Sequence, residues 1–474
     1  MVKEKNPTMF DSFMIEGLWS TSVDFEKTMG GTLKYDPLDS TAIELNLINS
    51  SMFEFEEISV LYGISSNDEY VTLIGCRINS FTCNSITTQT VIAQKIIVGK
   101  KHLLLSDLKK IKTASFSFFN LNEWMDMPLW NQIESSKAKI PIQNEKVLPN
   151  TYRIENIKAN LEEVYSINTN RIYKNWNLKT EQYYKLIFDE PKNLGEIYYE
   201  VYRIVQFFYF VFSQNAPFKF FEFEYGETIY MTDKKAPDKY RLYVNQISKM
   251  PERITASSKM IPYSYISKNL ESLLVNWFDN YSKVKPVIQT FVGDLQVGSF
   301  IETKFLNACR NIEVFHRVFI EEKKEIPEDI EDIRVELLDL LSSKEPIIKQ
   351  YFGKRINHTE EGTLSMRIKE SINKLPSDFL GEIIKFENKN LSDSKTKFTR
   401  ACVNTRNYLT HGSSNKEMYK PMFEKENLSK ATKVLDLIIE YFILQEIGVE
   451  TELILDEFRL SKRYYGILNQ KFVS

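Results

Sequence analysis

The hydrophobic pattern of this chain changes once, near residue 260, and that change limits the fold more than any other feature. Before it, short runs of β-branched and aromatic residues are separated by turn residues; after it, apolar residues recur at helical spacing. Residues 17–25, 32–35, 42–47, 58–62, 70–78, 86–98 and 114–119 read as strands. Pro37-Leu38-Asp39-Ser40, Ser65-Ser66-Asn67-Asp68 and the pair Gly30-Gly31 read as turns. From 150 to 250 the pattern is mixed, with strands at 182–188, 218–225, 228–231 and 240–244 and an unusually aromatic helix at 194–213. A helix that apolar must be buried, most simply against the sheet. Helices follow at 264–281, 297–324, 328–343, 364–388, 393–411 and 428–447, the last capped by Asn427 or Ser429 and stopped by Gly448. The pattern predicts an α+β chain: a β-rich N-terminal domain over 1–255, a helical connector over 256–295 and an all-α bundle over 296–474.

Several classes are disfavoured at once. With 61 Lys and Arg against 64 Asp and Glu, the chain lacks the overall positive field of many nucleic-acid binders, so any such contact must be local. Cys76, Cys83, Cys309 and Cys402 show no close pairing for zinc or redox work and are expected to be reduced, partly buried thiols. The lysines near Met1 precede no apolar stretch, and the longest apolar run, Ile204 to Phe212, is far short of a bilayer span. A cytoplasmic protein without membrane attachment is expected. Gly99-Lys100 and Gly353-Lys354 lack the upstream glycine of a phosphate-binding loop, and the carboxylates show no metal-ligand spacing. No cofactor and no metal are expected. The acidic stretch from Glu321 to Asp339 reads as a solvated helix face or linker.

One segment carries chemistry. Arg406-Asn407-Tyr408-Leu409-Thr410-His411 ends a helix, Gly412 follows, and the chain has only four histidines. Arginine matches phosphate geometry and histidine is suited to proton transfer near neutral pH. On a helical wheel Phe398, Ala401, Cys402, Thr405 and Leu409 form the core stripe, while Arg400, Asn404, Asn407 and His411 lie opposite. Arg406 stands on the flank, about 140° from His411. The two converge only if the helix unwinds at its end, which a left-handed glycine at 412 would favour, or if a second subunit supplies one of them. A similar match, Arg310-Asn311 to His316, fails on the wheel, where His316 falls at the core edge, Arg310 points away and Glu313 faces Arg317 one turn on.

The Arg406-Asn407-x-x-x-His411 segment resembles the Arg-Asn-x-x-x-His signature of HEPN ribonucleases. Ala401 to Gly412, the Asn307-Ala308-Cys309-Arg310-Asn311-Ile312-Glu313 helix and Gly17-Leu18-Trp19 resemble the ApeA-like branch of that family, across most of the chain. The resemblance implies an HEPN-type bundle that forms a homodimer or higher oligomer, bacterial defence against phage, and cleavage of RNA, tRNA anticodon loops included. In that reading Arg406, His411 and Asn407 are catalytic. Arg400, Lys395, Lys397 and Asn404 are candidates for holding RNA, and a phage-derived activator is a further expected partner. The other reading is a non-catalytic dimeric scaffold that senses a phage or host component.

Overall fold

Glycines on two neighbouring strands make room for the indole that anchors the sheet. The computed structural model describes residues 7–472 except 40, 49–58, 84–85, 127–129, 136–137, 144–148, 173–174, 230–234, 247–252, 254–260, 322–327, 358–361, 413–415 and 469. Trp19, on β1 (Phe13–Ser20), is fully buried and its Nε1 donates to the Gly31 carbonyl of β2 (Met29–Tyr35) at 3.2 Å. Its ring covers Gly63 of β4 (Val60–Ser65), where a Cβ would stand 2.4 Å away. Gly30-Gly31 therefore lies inside a strand and does not form the expected turn, because the pair is shaped by what packs on it.

β3 (Ile43–Ile48), β5 (Tyr70–Ile74), β6 (Arg77–Cys83), β7 (Thr87–Ile92), β8 (Lys95–Gly99) and β9 (Ile111–Phe118) follow in the same region. After the short α1 (Leu121–Met125), β10 (Trp130–Ser135) and β11 (Ala138–Gln143) make a separate two-stranded ribbon. Next come β12 (Thr151–Ile154), β13 (Ala159–Ile172), β14 (Asn175–Lys192), α2 (Leu194–Phe212), β15 (Phe218–Ile229) and β16 (Lys235–Val244). Outside the ribbon, these strands form one antiparallel sheet in the order β12-β13-β14-β9-β15-β16-β8-β5-β4-β1-β2-β3-β7-β6. Two of the longest expected strands, 70–78 and 86–98, are each in fact two. Gly75, at φ +68°, breaks the first, and the chain turns at Ala93-Gln94 in the second.

α2 begins where the Asn193 side chain accepts from the Gly195 amide at 2.7 Å, and it packs on β9 and β14 as its aromatic sequence requires. Phe208 meets Phe118 at 4.7 Å between ring centroids, and Trp124 and Phe212 close the same cluster.

The chain divides into two compact units. The first holds residues up to 279 with 295–298 and 446–461; the second holds 280–294, 299–445 and 462 onward. The second is helical: α4 (Ile301–Phe315), α5 (Glu328–Ser342), α6 (Pro346–Asn357), α7 (Leu364–Lys374), α8 (Ser377–Ile383), α9 (Leu391–His411), most of α10 (Lys425–Glu446) and α12 (Lys462–Tyr465). α3 (Tyr263–Gln296) has residues in both units, and α11 (Thr451–Leu460) belongs to the first.

Several helix bounds differ from expectation. α3 runs through Pro286 and does not stop at 281. The segment expected as one helix from 364 to 388 is two, because Pro376 forces Leu375 into an extended conformation. The helix expected over 297–324 starts at Ile301, and a π-helical turn from His316 to Ile320 follows its end. α10 begins at Lys425, ahead of both expected caps, and α6, α11 and α12 had not been anticipated.

Candidate active site

α9 is positioned by the residues on its inner side. Of the expected stripe, Phe398, Ala401, Cys402 and Thr405 are buried and Leu409 is half-buried. Thr405 Oγ1 donates to the Ala401 carbonyl at 2.7 Å and accepts from the Phe423 amide at 2.8 Å, tying the helix to the segment that leads into α10. The helix starts with Asn390, whose side chain accepts from the Asp393 amide at 2.8 Å. It stays α-helical through His411, and only Gly412 departs, at φ 58°, ψ 41°, with its amide bonded to the Tyr408 carbonyl at 2.9 Å.

That regularity settles one question of geometry. Gly412 is the left-handed cap that its position predicts, yet the turn carrying Arg406 and His411 does not unwind, so the two side chains leave a single helix about 140° apart. Among the described residues no hydrogen bond joins them. Arg406 is half-buried and its Nη1 donates to Asn407 Oδ1 at 3.2 Å, while His411 is exposed on the last turn. Thr410 is also exposed, and its hydroxyl returns to the Arg406 carbonyl at 2.8 Å.

The four candidate RNA contacts are spread out. Asn404 donates to the Pro421 carbonyl at 3.1 Å and so fastens the following segment. Lys395 donates to Asn373 Oδ1 at 3.1 Å, Lys397 lies 4.8 Å from the Phe386 ring centroid, and Arg400 is exposed. At about 1.5 Å rise per residue Lys395 is roughly 24 Å along α9 from His411, too far to share one phosphate with it. The structure thus brings Arg406, Asn407 and His411 to one helix end and distributes the other four along the helix.

Two buried thiols, Cys309 and Cys402, lie near the site. Cys309 of α4 is pushed up to about 12 by burial, with Arg406 pulling the other way and Glu313 adding to the rise. Burial also raises Cys402 well above its ordinary value, reinforced by Cys309. Burial thus favours the neutral thiol form of both.

The second Arg-Asn-His match does not build a site. His316 is fully buried with Nε2 2.7 Å from Glu370 Oε2, whereas Arg310 is exposed. The expected Glu313–Arg317 pair is present at 3.3 Å, and Glu313 also accepts from Arg367 of α7 at 3.0 Å. Arg367 is buried and reaches Glu321 as well, at 3.3 Å. A lone arginine in an amphipathic helix carries no sequence signal of burial, yet here it braces α7 against α4. His358 lies outside the described residues.

An antiparallel sheet unit and a helical unit with an Arg-Asn-x-x-x-His helix end define a two-part protein with a HEPN-type bundle. Residues 14–277, more than half of the chain, match the family described as ApeA N-terminal domain 1, and residues 306–453 match the Apea-like HEPN family. The chain belongs to the ApeA-like HEPN family. No curated protein and no solved structure matches it. Among the described residues no helix is long and apolar enough to cross a membrane, and no group of three or more His, Cys, Asp or Glu side chains is arranged to hold a metal ion.

Proposed function

We propose that this protein is a metal-independent endoribonuclease effector of bacterial anti-phage defence that cleaves RNA, with tRNA the expected substrate. The observation that carries the reading is the end of α9, where an Arg406–Asn407 pair and an exposed His411 cap a helix of the HEPN domain. In the reaction a ribose 2′-OH attacks the adjacent phosphate, a base takes its proton, and an acid protonates the departing 5′ oxygen. Arg406 stabilises the charge of the pentacovalent phosphate and Asn407 orients Arg406. His411 supplies proton transfer worth roughly 10²- to 10⁴-fold.

Because α9 is regular to its end, Arg406 and His411 of one copy face different directions, and one histidine cannot be acid and base at once. Both demands are met by a homodimer in which two helix ends face one phosphate across a two-fold axis. Arg400, Lys395 and Lys397 would then follow the RNA backbone away from the cleaved bond and make binding salt-sensitive. The N-terminal domain acts as sensor or restraint, released by a phage-derived activator.

RNA-end sequencing tests this. His411→Ala should abolish cleavage in EDTA without altering the melting profile, and wild-type products should carry 2′,3′-cyclic phosphate and 5′-OH ends. Continued cleavage by the purified variant would sink the assignment, and 5′-phosphate ends would mean attack by water instead. The splayed pair also favours a second reading, a non-catalytic dimeric scaffold; a dimer whose two His411 side chains lie far apart would decide for it.

A further inference from the structure

The helical hairpin of α5 and α6 leaves an apolar seam uncovered. Ile330, Ile333, Leu337 and Leu340 follow one another at steps of three, four and three, the spacing that keeps side chains on one face of a helix packed against another helix. They are 54%, 56%, 44% and 55% exposed. The seam beside them, Glu331, Arg334, Leu338 and Leu341, is half-buried, and α5 packs on α6. Ile347 of α6, at 78%, extends the exposed surface, whereas Val335 lies on the opposite side of α5. These five side chains present on the order of 500 Å², toward the upper end of what a lone soluble domain exposes as one apolar patch.

Charge narrows the occupant. The α5 sequence holds six carboxylates and one arginine, whereas α6 holds Lys349, Lys354 and Arg355 and no carboxylate. An acidic arm repels RNA phosphates and anionic membranes alike. A second copy of the same hairpin fits. With two hairpins related by a two-fold axis in a four-helix bundle, each acidic α5 borders its own α6 and its partner's, and like-charged arms occupy the diagonals.

We propose that the α5–α6 hairpin is a homodimerisation element, its Ile330-Ile333-Leu337-Leu340 seam closing against the same hairpin of a second copy. This rests on the homodimer of the function proposed above and names the surface that holds it together.

Light scattering on the full-length chain, eluted from a sizing column, reads the mass directly. Wild type should elute at twice the chain mass and Ile333→Glu with Leu337→Glu at once the chain mass, with an unchanged far-ultraviolet dichroism spectrum. Replacing Lys349, Lys354 and Arg355 with Glu should likewise halve the mass. Adding Glu331→Lys, Asp332→Lys and Glu336→Lys to that chain should restore the dimer, which a merely misfolded chain would not do. A wild type of single mass, a folded Ile333→Glu, Leu337→Glu chain that keeps the wild-type mass, or a charge swap without rescue would each overturn the proposal. Should the seam variant stay dimeric while His411→Ala loses cleavage, the hairpin proposal falls and the nuclease reading stands. Should the seam variant become monomeric while His411→Ala still cleaves, the reverse holds.

Discussion

Asp436 shows how tightly charge is held inside the helical unit. Arg463 donates to it at 3.2 Å and to Glu440 at 2.7 Å, and Glu440 also accepts from the Tyr464 hydroxyl at 2.6 Å. One guanidinium thus serves two carboxylates in a poorly solvated place. Burial pushes the Asp436 carboxyl up to about 6, against the pull of Arg463 and with nearby Asp294 adding to the rise. Since the folded value lies above the unfolded one, the stability this carboxyl contributes is fully present below about pH 4 and is lost as the pH rises through 6. Asp436→Asn, always neutral, should gain on wild type between pH 4 and pH 8 by about 1–3 kcal/mol, a few degrees in melting temperature. Thermal melts at both pH values check this; a gap that does not widen with pH would contradict it.

Among the elements, α9 depends on both of its ends. Gly412 sits at a left-handed conformation where an added Cβ would meet nothing within 4 Å, so the cost of a side chain there is purely conformational. Gly412→Ala should therefore destabilise the helical unit by about 1 kcal/mol and Gly412→Asn by less, as read from thermal denaturation. Equal losses would point to packing instead. This helix was also the most legible part of the chain, because its apolar stripe, cap residues and Gly412 all favour the same structure. The sequence could not show whether the last turn unwinds, since a left-handed glycine is compatible with both outcomes. β13 and much of β14 were illegible for a different reason. Glu163 interrupts the apolar alternation of β13, yet it is buried because Tyr152, Tyr165 and Tyr263 hydroxyls all donate to it within 2.9 Å. Two of those partners lie on other elements, one of them 100 residues away, and no local pattern reveals such a site. In the sequence α5 reads as a solvated acidic face because its charge is conspicuous, while the apolar seam between the charges is recognised only once its exposure is known.

At the scale of the whole molecule, the last part of the chain is shared between the two units. Residues 446–461 belong to the unit with the sheet, where Asn276 Nδ2 donates to the Ile447 carbonyl at 3.0 Å, and the chain then goes back to the helical unit. There Tyr464, Ile467 and Phe472 are buried, and Phe472 packs on Phe398 of α9, on Phe423 and beneath Lys430. Deleting residues 462–474 would remove these anchors and leave Asp436 and Glu440 without Arg463. The helical unit should lose about 5 kcal/mol or more while the sheet unit is little changed. Calorimetry would register this as one transition lowered and one retained, with RNA cleavage lost; a uniform shift of both transitions would argue against it.

The interleaved path also sets an order on biosynthesis. Because the sheet unit takes its final helix, α11, from after residues 299–445 of the helical unit, a ribosome must make all of that segment before the sheet unit can be finished. The proposed toxic half is thus translated ahead of the last piece of the half proposed to restrain it. Only thereafter does Phe472, which packs on Phe398 of α9, emerge, so on this path the effector helix gains its final support after its restraint has all its parts.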